Sequence, residues 1–114
     1  MDKKSQPKCI KYNKVVITSP SDKNCIIDTF KDFFASINER TTGLKGYAIM
    51  HNDVPIESTA ESVIVVLTFW NSRDDMDDYY KPENKQLSQL VASVKPFLKQ
   101  MPERISYIVS EFVI

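Results

Sequence analysis

The chain has 114 residues, 42% of them hydrophobic and 26% charged, and its fifteen basic side chains are balanced by fifteen acidic ones. That length supports one domain with a buried core, and a net charge of zero supplies no field to gather nucleic acid or an anionic membrane surface. The longest apolar run, Val63–Leu67, is a strand's worth, far below the roughly 20 residues that span a bilayer.

Residues 1–9 are polar, include Pro7, and are expected to form a flexible N-terminal arm ahead of a domain at 10–114. "MDKKSQPK" lacks the apolar stretch of a secretory signal, so a cytoplasmic location is expected. "IKYNKVVITS" (10–19) is β-branched and suits a first strand. Ser19-Pro20-Ser21-Asp22 then reads as a helix start, with a Ser cap, Pro at the first helical position and an acid in the first turn. Ile26, Ile27, Phe30, Phe33, Phe34 and Ile37 recur at helical spacing, and the "TTG" that follows ends the helix with Gly43 in the left-handed region.

"LKGYAIMH" (44–51) is the second strand, 52–61 a polar connection, and "SVIVVLTFW" (62–70) the third strand. A second helical region is interrupted at Pro82. Its apolar face is Leu87, Leu90, Val91, Val94, Phe97, Leu98 and Met101, and Pro96 must kink or end it by removing a backbone donor. "RISYIVSEFVI" (104–114) closes the chain as a strand. The order β-α-β-β-α-β predicts an α+β, ferredoxin-like domain: a four-stranded antiparallel sheet with its helices on one face.

The other face carries a further expectation. In the third strand Val63, Val65, Leu67 and Phe69 point one way and Ile64, Val66, Thr68 and Trp70 the other. The last strand repeats the pattern, with Ile105, Tyr107, Val109 and Val113 opposite Ile108, Phe112 and Ile114. A sheet with one wet face should alternate apolar with polar residues. With no third helix expected to cover the second face, a homodimer packed sheet to sheet is expected.

Asp74, Asp75, Asp77 and Asp78 form the most conspicuous charge cluster. Ser72 with Asp75 three residues on is a helix-start pattern, and carboxylates in a first turn complement the helix dipole. A calcium loop would need a glycine at the turn and a glutamate at its end, and both are missing. Cys9 and Cys25 lack C-x-x-C spacing and a histidine cluster, so no metal is expected and Cys25 reads as a small packed residue. "KGYAIM" matches the first four positions of the RNA-recognition octamer, but Ile49 and Asn52 stand where stacking aromatics belong, and the segment lies on the second strand, not the third. No nucleic-acid partner is expected, and Gly46 reads as relieving crowding beside a packed Tyr47. His51, the single histidine, is the one obvious general base. Trp70, Tyr79, Tyr80 and Met76 are spaced to converge between sheet and helix, either as walls for a flat apolar ligand or as core.

Two stretches, "TTGLKGYAI" (41–49) and "VVLTFWNSRDDMDDYYKPENKQL" (65–87), together resemble the antibiotic biosynthesis monooxygenase (ABM) superfamily of dimeric α/β barrels. The first is similar to a P-G-x-x-G-Y element. The second is similar to a strand ending in Trp, then a short acidic helix with an apolar residue six positions on, here Met76, and a break at Lys81-Pro82. The resemblance runs over about 10–114 and implies a face-to-face homodimer with a pocket between sheet and helices. It implies either cofactor-independent oxidation of phenolic or quinol-like substrates or haem degradation. The haem-degrading branch uses a first-strand Asn, a helix Trp and a later His. The corresponding positions here are Thr18 or Ser19, Tyr79 and a point near Gln89, so haem degradation is disfavoured.

Two functions follow as expectations. One is a cofactor-independent monooxygenase acting on a small aromatic molecule, with Trp70, Tyr79, Tyr80 and Met76 around the substrate and His51 as base. The other is a non-catalytic dimer that binds a small ligand or regulates through the same fold.

Overall fold

Where a β-branched strand finds a partner on each side, its apolar pattern is pinned in register, and the third strand shows this best. The computed structural model describes residues 6–53 and 60–113. Strand β1 runs Cys9–Ile17, helix α1 Lys23–Ile37, β2 Leu44–His51, β3 Ser62–Trp70, α2 Arg73–Tyr79, α3 Lys85–Val94 and β4 Glu103–Ile108. The sheet order is β2-β3-β1-β4, antiparallel throughout, which is the ferredoxin-like arrangement.

Register separates the two faces of the sheet. Cys9, Lys11, Asn13, Val15 and Ile17 of β1 lie opposite Trp70, Thr68, Val66, Ile64 and Ser62 of β3, and all five β3 residues are buried. This face carries the helices. Ile26, Ile27, Phe30, Phe34 and Ile37 of α1 and Leu87, Leu90 and Val94 of α3 are buried against it. Each such side chain contributes roughly 1.5–3 kcal/mol by leaving water. The second face holds Ile10 and Tyr12 of β1, Val63, Val65, Leu67 and Phe69 of β3, Ala48 and Met50 of β2, and Ile105 and Tyr107 of β4. No helix of the described residues covers it, and it stays partly open: Met50 is 45% exposed and Tyr107 50%.

Local signals explain the turns. The segment after Ser19 begins as a 3-10 turn, Pro20–Asp22, and the Ser19 side chain bonds Ser21 Oγ at 2.9 Å instead of capping the helix. Gly43 sits at φ 80°, and any Cβ there would run into the Asp75 side chain. At Gly46 an added Cβ meets nothing within 4 Å, so the expected crowding is absent. A bulge between Leu44 and Gly46 is what matters there: it lets Leu44 and Tyr47 face the same side, and Tyr47 packs on Phe34 at 5.7 Å. Ser72 caps α2, accepting from Asp75 N at 3.1 Å and donating to Asp75 Oδ2 at 2.9 Å. Asn84 caps α3 in the same way, its Oδ1 accepting from Leu87 N at 3.1 Å. Pro96 lies in a 3-10 turn, Lys95–Phe97, that ends α3.

Several expectations need correction. The closing strand stops at Ile108, not Ile114, because Cys9 begins β1 directly opposite Ile108 and little backbone remains to pair with. Residues 6–8 of the expected arm run against the sheet: Lys8 N donates to Trp70 O at 2.9 Å, and Lys8 O accepts from Val109 N at 2.9 Å. Residues 1–5 of that arm and 54–59 of the polar connection lie outside the described residues. Cys25 is exposed, not packed, whereas Cys9 is buried. No helix among the described residues is long and apolar enough to cross a membrane.

Candidate functional site

The helix-covered face of β1 is apolar at Cys9, Val15 and Ile17 but polar at Lys11 and Asn13, and that break in the core creates the site. Asn13 Nδ2 donates to Val66 O at 3.1 Å and to Tyr80 Oη at 3.3 Å. Tyr80 Oη is 2.9 Å from Thr68 Oγ1, which in turn accepts from Trp70 Nε1 at 2.8 Å. A polar chain of four side chains thus runs from β1 through the end of α2 to β3. Such chains persist in a low-dielectric interior only when each member is partnered. Burial pushes the Tyr80 phenol above its ordinary value, against the hydrogen bonds from Thr68 and Asn13 and the charge of Arg104, so Tyr80 is a neutral phenol over the physiological range.

Beside this chain, between the sheet and α3, lies a cavity of about 40 Å³. It is lined mainly by apolar side chains of α1, α3, β1 and β3, with Asn13 and Arg104 as its polar members. Outside it an open cleft of about 430 Å³ runs past Tyr80, Lys81, Ser88, Met101 and Arg104. Leu87, Val91, Pro102 and Arg104 line both, so the cleft and the cavity adjoin. Its volume falls within the roughly 300–1,000 Å³ usual for small-molecule sites, whereas the inner cavity alone does not.

The aromatic residues singled out in the sequence do come together. Trp70 packs on Tyr79 at 5.4 Å and Tyr80 at 6.1 Å, and the two tyrosines meet edge to face at 5.4 Å. Trp70 and Met76 are each 0% exposed and line neither the cavity nor the cleft. Tyr79 backs onto Trp70, and burial raises its pKa; among the described residues no hydrogen-bond partner reaches its buried hydroxyl. Of the four, only Tyr80 reaches the cleft. His51 is exposed at the end of β2; by register it shares the helix-covered face, but β3 lies between its strand and β1 and it lines neither the cavity nor the cleft, so the expected base lies away from this site.

Sequence reasoning misses Asn13, Thr68, Lys11 and Arg104. The signal for Asn13 and Lys11 is the parity of β1, where two polar residues interrupt an otherwise apolar row. The resemblance puts the family's first-strand asparagine at Thr18 or Ser19, which lie past the end of β1; the strand instead presents Asn13. The site supplies no imidazole to hold a haem iron: the single histidine, His51, is remote, and Gln89 is exposed on α3. Among the described residues no cluster of three or more His, Cys, Asp or Glu side chains could hold a metal ion. Of the four Asp of α2, Asp75 is half-buried and bonded to Ser72, and Asp74, Asp77 and Asp78 are exposed, with Arg73–Asp77 at 3.5 Å and Lys81–Asp78 at 2.9 Å.

No protein-family model matches the chain, and no curated protein sequence does. Solved structures are similar in fold. A Bacillus cereus protein provisionally named an antibiotic biosynthesis monooxygenase superposes with TM-score 0.69 at 13% identity, covering 95% of this chain and 98% of its own. A dimeric ferredoxin-like protein from an uncultured marine organism gives 0.68 at 14% identity, with 97% and 96% covered. A mutant of SnoaB, a cofactor-independent oxygenase from Streptomyces nogalater, gives 0.64 at 10% identity, with 94% and 97% covered. The chain therefore shares a ferredoxin-like fold with these proteins over nearly its whole length.

Proposed function

We propose that the protein is a homodimeric oxygenase that acts without a cofactor on a small aromatic molecule, phenol- or quinol-like, seated in the cleft between β4 and α3. The observation that carries this reading is the buried chain Asn13–Tyr80–Thr68–Trp70 ending beside an apolar cavity. A fold shared with a cofactor-independent oxygenase supports it. An electron-rich aromatic, once deprotonated, reacts with O₂ directly. The protein then has to hold it in one orientation, away from bulk water.

The residues suit that task. Among the described residues no donor reaches the Asn13 amide oxygen, which is therefore available to accept from a substrate hydroxyl. With Thr68 Oγ1 already accepting from Trp70, Thr68 can donate to Tyr80, leaving the Tyr80 proton for a substrate oxygen. Trp70, Tyr79 and Met76 form the wall that fixes Tyr80, and this reading assigns His51 no part. Oxygen uptake with a panel of dihydroxynaphthalenes and anthrones tests the reading. Turnover should fall at least roughly tenfold in Asn13→Ala and Tyr80→Phe, the loss expected for one positioned hydrogen bond. No uptake with any member of the panel ends the oxidation reading.

The dimer rests on the apolar second face of the sheet, and a dimeric protein of the same fold supports it. A monomeric mass by light scattering at micromolar concentration removes it. A second reading, a dimer that binds a small ligand without catalysis, is favoured by the position of His51 outside the site. Saturable ligand binding with no oxygen uptake selects that reading.

A further inference from the structure

Two cations lie against the Tyr80 ring: Arg104, which lines the site, and Lys11, which lines neither the cavity nor the cleft. Lys11 Nζ lies 5.0 Å from the centre of the Tyr80 ring and Arg104 Cζ 5.4 Å from it. Among the described residues neither forms an ion pair; Lys11 Nζ donates only to Ser106 Oγ, at 2.8 Å. The arrangement is fixed by register. Asn13 pairs with Arg104 and Lys11 with Ser106 across β1 and β4, so all four side chains share the helix-covered face. Burial, with a smaller contribution from Arg104, holds the Lys11 amine below its ordinary pKa, while Asp77 opposes the shift. Lys11 is half-buried and Arg104 exposed, and among the described residues neither is held in an ion pair, so an anion in the cleft would meet their positive charge without displacing a bonded carboxylate.

Arg104 lines both the apolar cavity and the outer cleft, at the junction between them. We propose that the site takes its aromatic ligand as an anion, a carboxylate or phenolate, with the apolar ring directed toward the cavity and the oxyanion held by Arg104, Lys11 adding a second positive charge across Tyr80. This inference deepens the proposed function and rests on its placement of the ligand in the cleft. It also answers the lack of a general base near the site: beside two cations a phenol ionises more readily, so the ligand can arrive or bind already deprotonated. The proton is released to solvent, and no side chain need carry it. Arg104 would contact the ligand directly. Lys11 would act as a positioning charge.

The test is calorimetric binding of 2-naphthoate, a carboxylate near neutral pH, beside its uncharged analogue 2-naphthamide, to the intact dimer. The naphthoate should bind roughly tenfold or more tightly than the amide, the worth of one charge-assisted hydrogen bond. That preference should vanish in Arg104→Gln, survive in Arg104→Lys and shrink a few-fold in Lys11→Gln, with melting temperatures showing that each variant is folded. Equal binding of the two ligands, binding of neither, or a preference untouched by Arg104→Gln overturns the proposal. Oxygen uptake on hydroxynaphthoates and on uncharged dihydroxynaphthalenes separates the two ideas. Selective binding of naphthoate with no uptake keeps the anion site and ends the oxidation reading; uptake on uncharged substrates with no charge preference does the reverse.

Discussion

The two faces of one sheet are built from equally apolar strands and end in opposite situations. In β3 the residues Ile64, Thr68 and Trp70 are each 0% exposed, while their neighbours Val63, Val65, Leu67 and Phe69 are only partly covered. Hydrophobicity therefore does not separate them; the helices do. The covered face gives two central positions of β1, Lys11 and Asn13, to polar chemistry; on the open face the β3 row is apolar throughout, and the charged residues Lys14 and Glu103 fall where β1 meets the start of β4. The functional signal lies where a buried row is interrupted by polar residues, and the assembly signal where an exposed row is not.

Four experiments break or sharpen that contrast. The largest effect is expected on the covered face: Trp70→Ala removes a fully buried ring and the donor to Thr68, and should lower stability by about 3–5 kcal/mol in urea unfolding. A loss below about 1 kcal/mol would mean that the wall behind Tyr80 is not part of the core. On the open face, Leu67→Glu places a charge at the centre of the proposed dimer contact. Leaving that charge unpaired costs several kcal/mol, so the sedimenting mass should halve at micromolar concentration while the circular dichroism of the fold is kept. An unchanged mass assigns the contact to another surface.

Tyr80→Phe is next. It removes one hydroxyl from the polar chain and should cost about 1–3 kcal/mol, because Asn13 and Thr68 lose a buried partner. The same variant carries a pH signature. Burial raises the Tyr80 pKa in the folded protein, so above the unfolded value of about 10 the native state binds more protons than the unfolded one. Stability should therefore be unaffected below that pH and decline as pH rises past it, and the decline should be shallower in Tyr80→Phe; identical alkaline slopes would show that another group titrates. The smallest effect belongs to Ser72→Ala, which deletes the cap of α2 and should cost about 1 kcal/mol without altering ligand binding.

Much of the architecture was legible in the sequence. The bounds of β2 and β3 agree with the observed Leu44–His51 and Ser62–Trp70, because turn residues flank each and their side chains pack on both sides. The acidic run resolved into a capped helix start for the reason its spacing implied, with Ser72 and Asp75 bonded to each other. The end of β4 was not legible. Val109, Phe112 and Val113 keep a strand-like composition, but a strand needs a partner, and β1 starts at Cys9. The site was half legible: the aromatic group was visible as a cluster, yet Trp70 and Met76 proved to be its buried wall and only Tyr80 reaches the cleft.

By itself the sequence determined the order of elements, the two-sided apolar strands and the positions of the helix caps, because these depend on periodicity and on residues a few places apart. Only the tertiary structure decided which side of β1 the helices cover, and so that Lys11 and Asn13 face Tyr80 while Tyr12 faces outward. The physical reason is register. Asn13, Thr68 and Arg104 are scattered along the chain, and only antiparallel pairing of β1 with both β3 and β4 brings them onto one face, over which the end of α2 lays Tyr80.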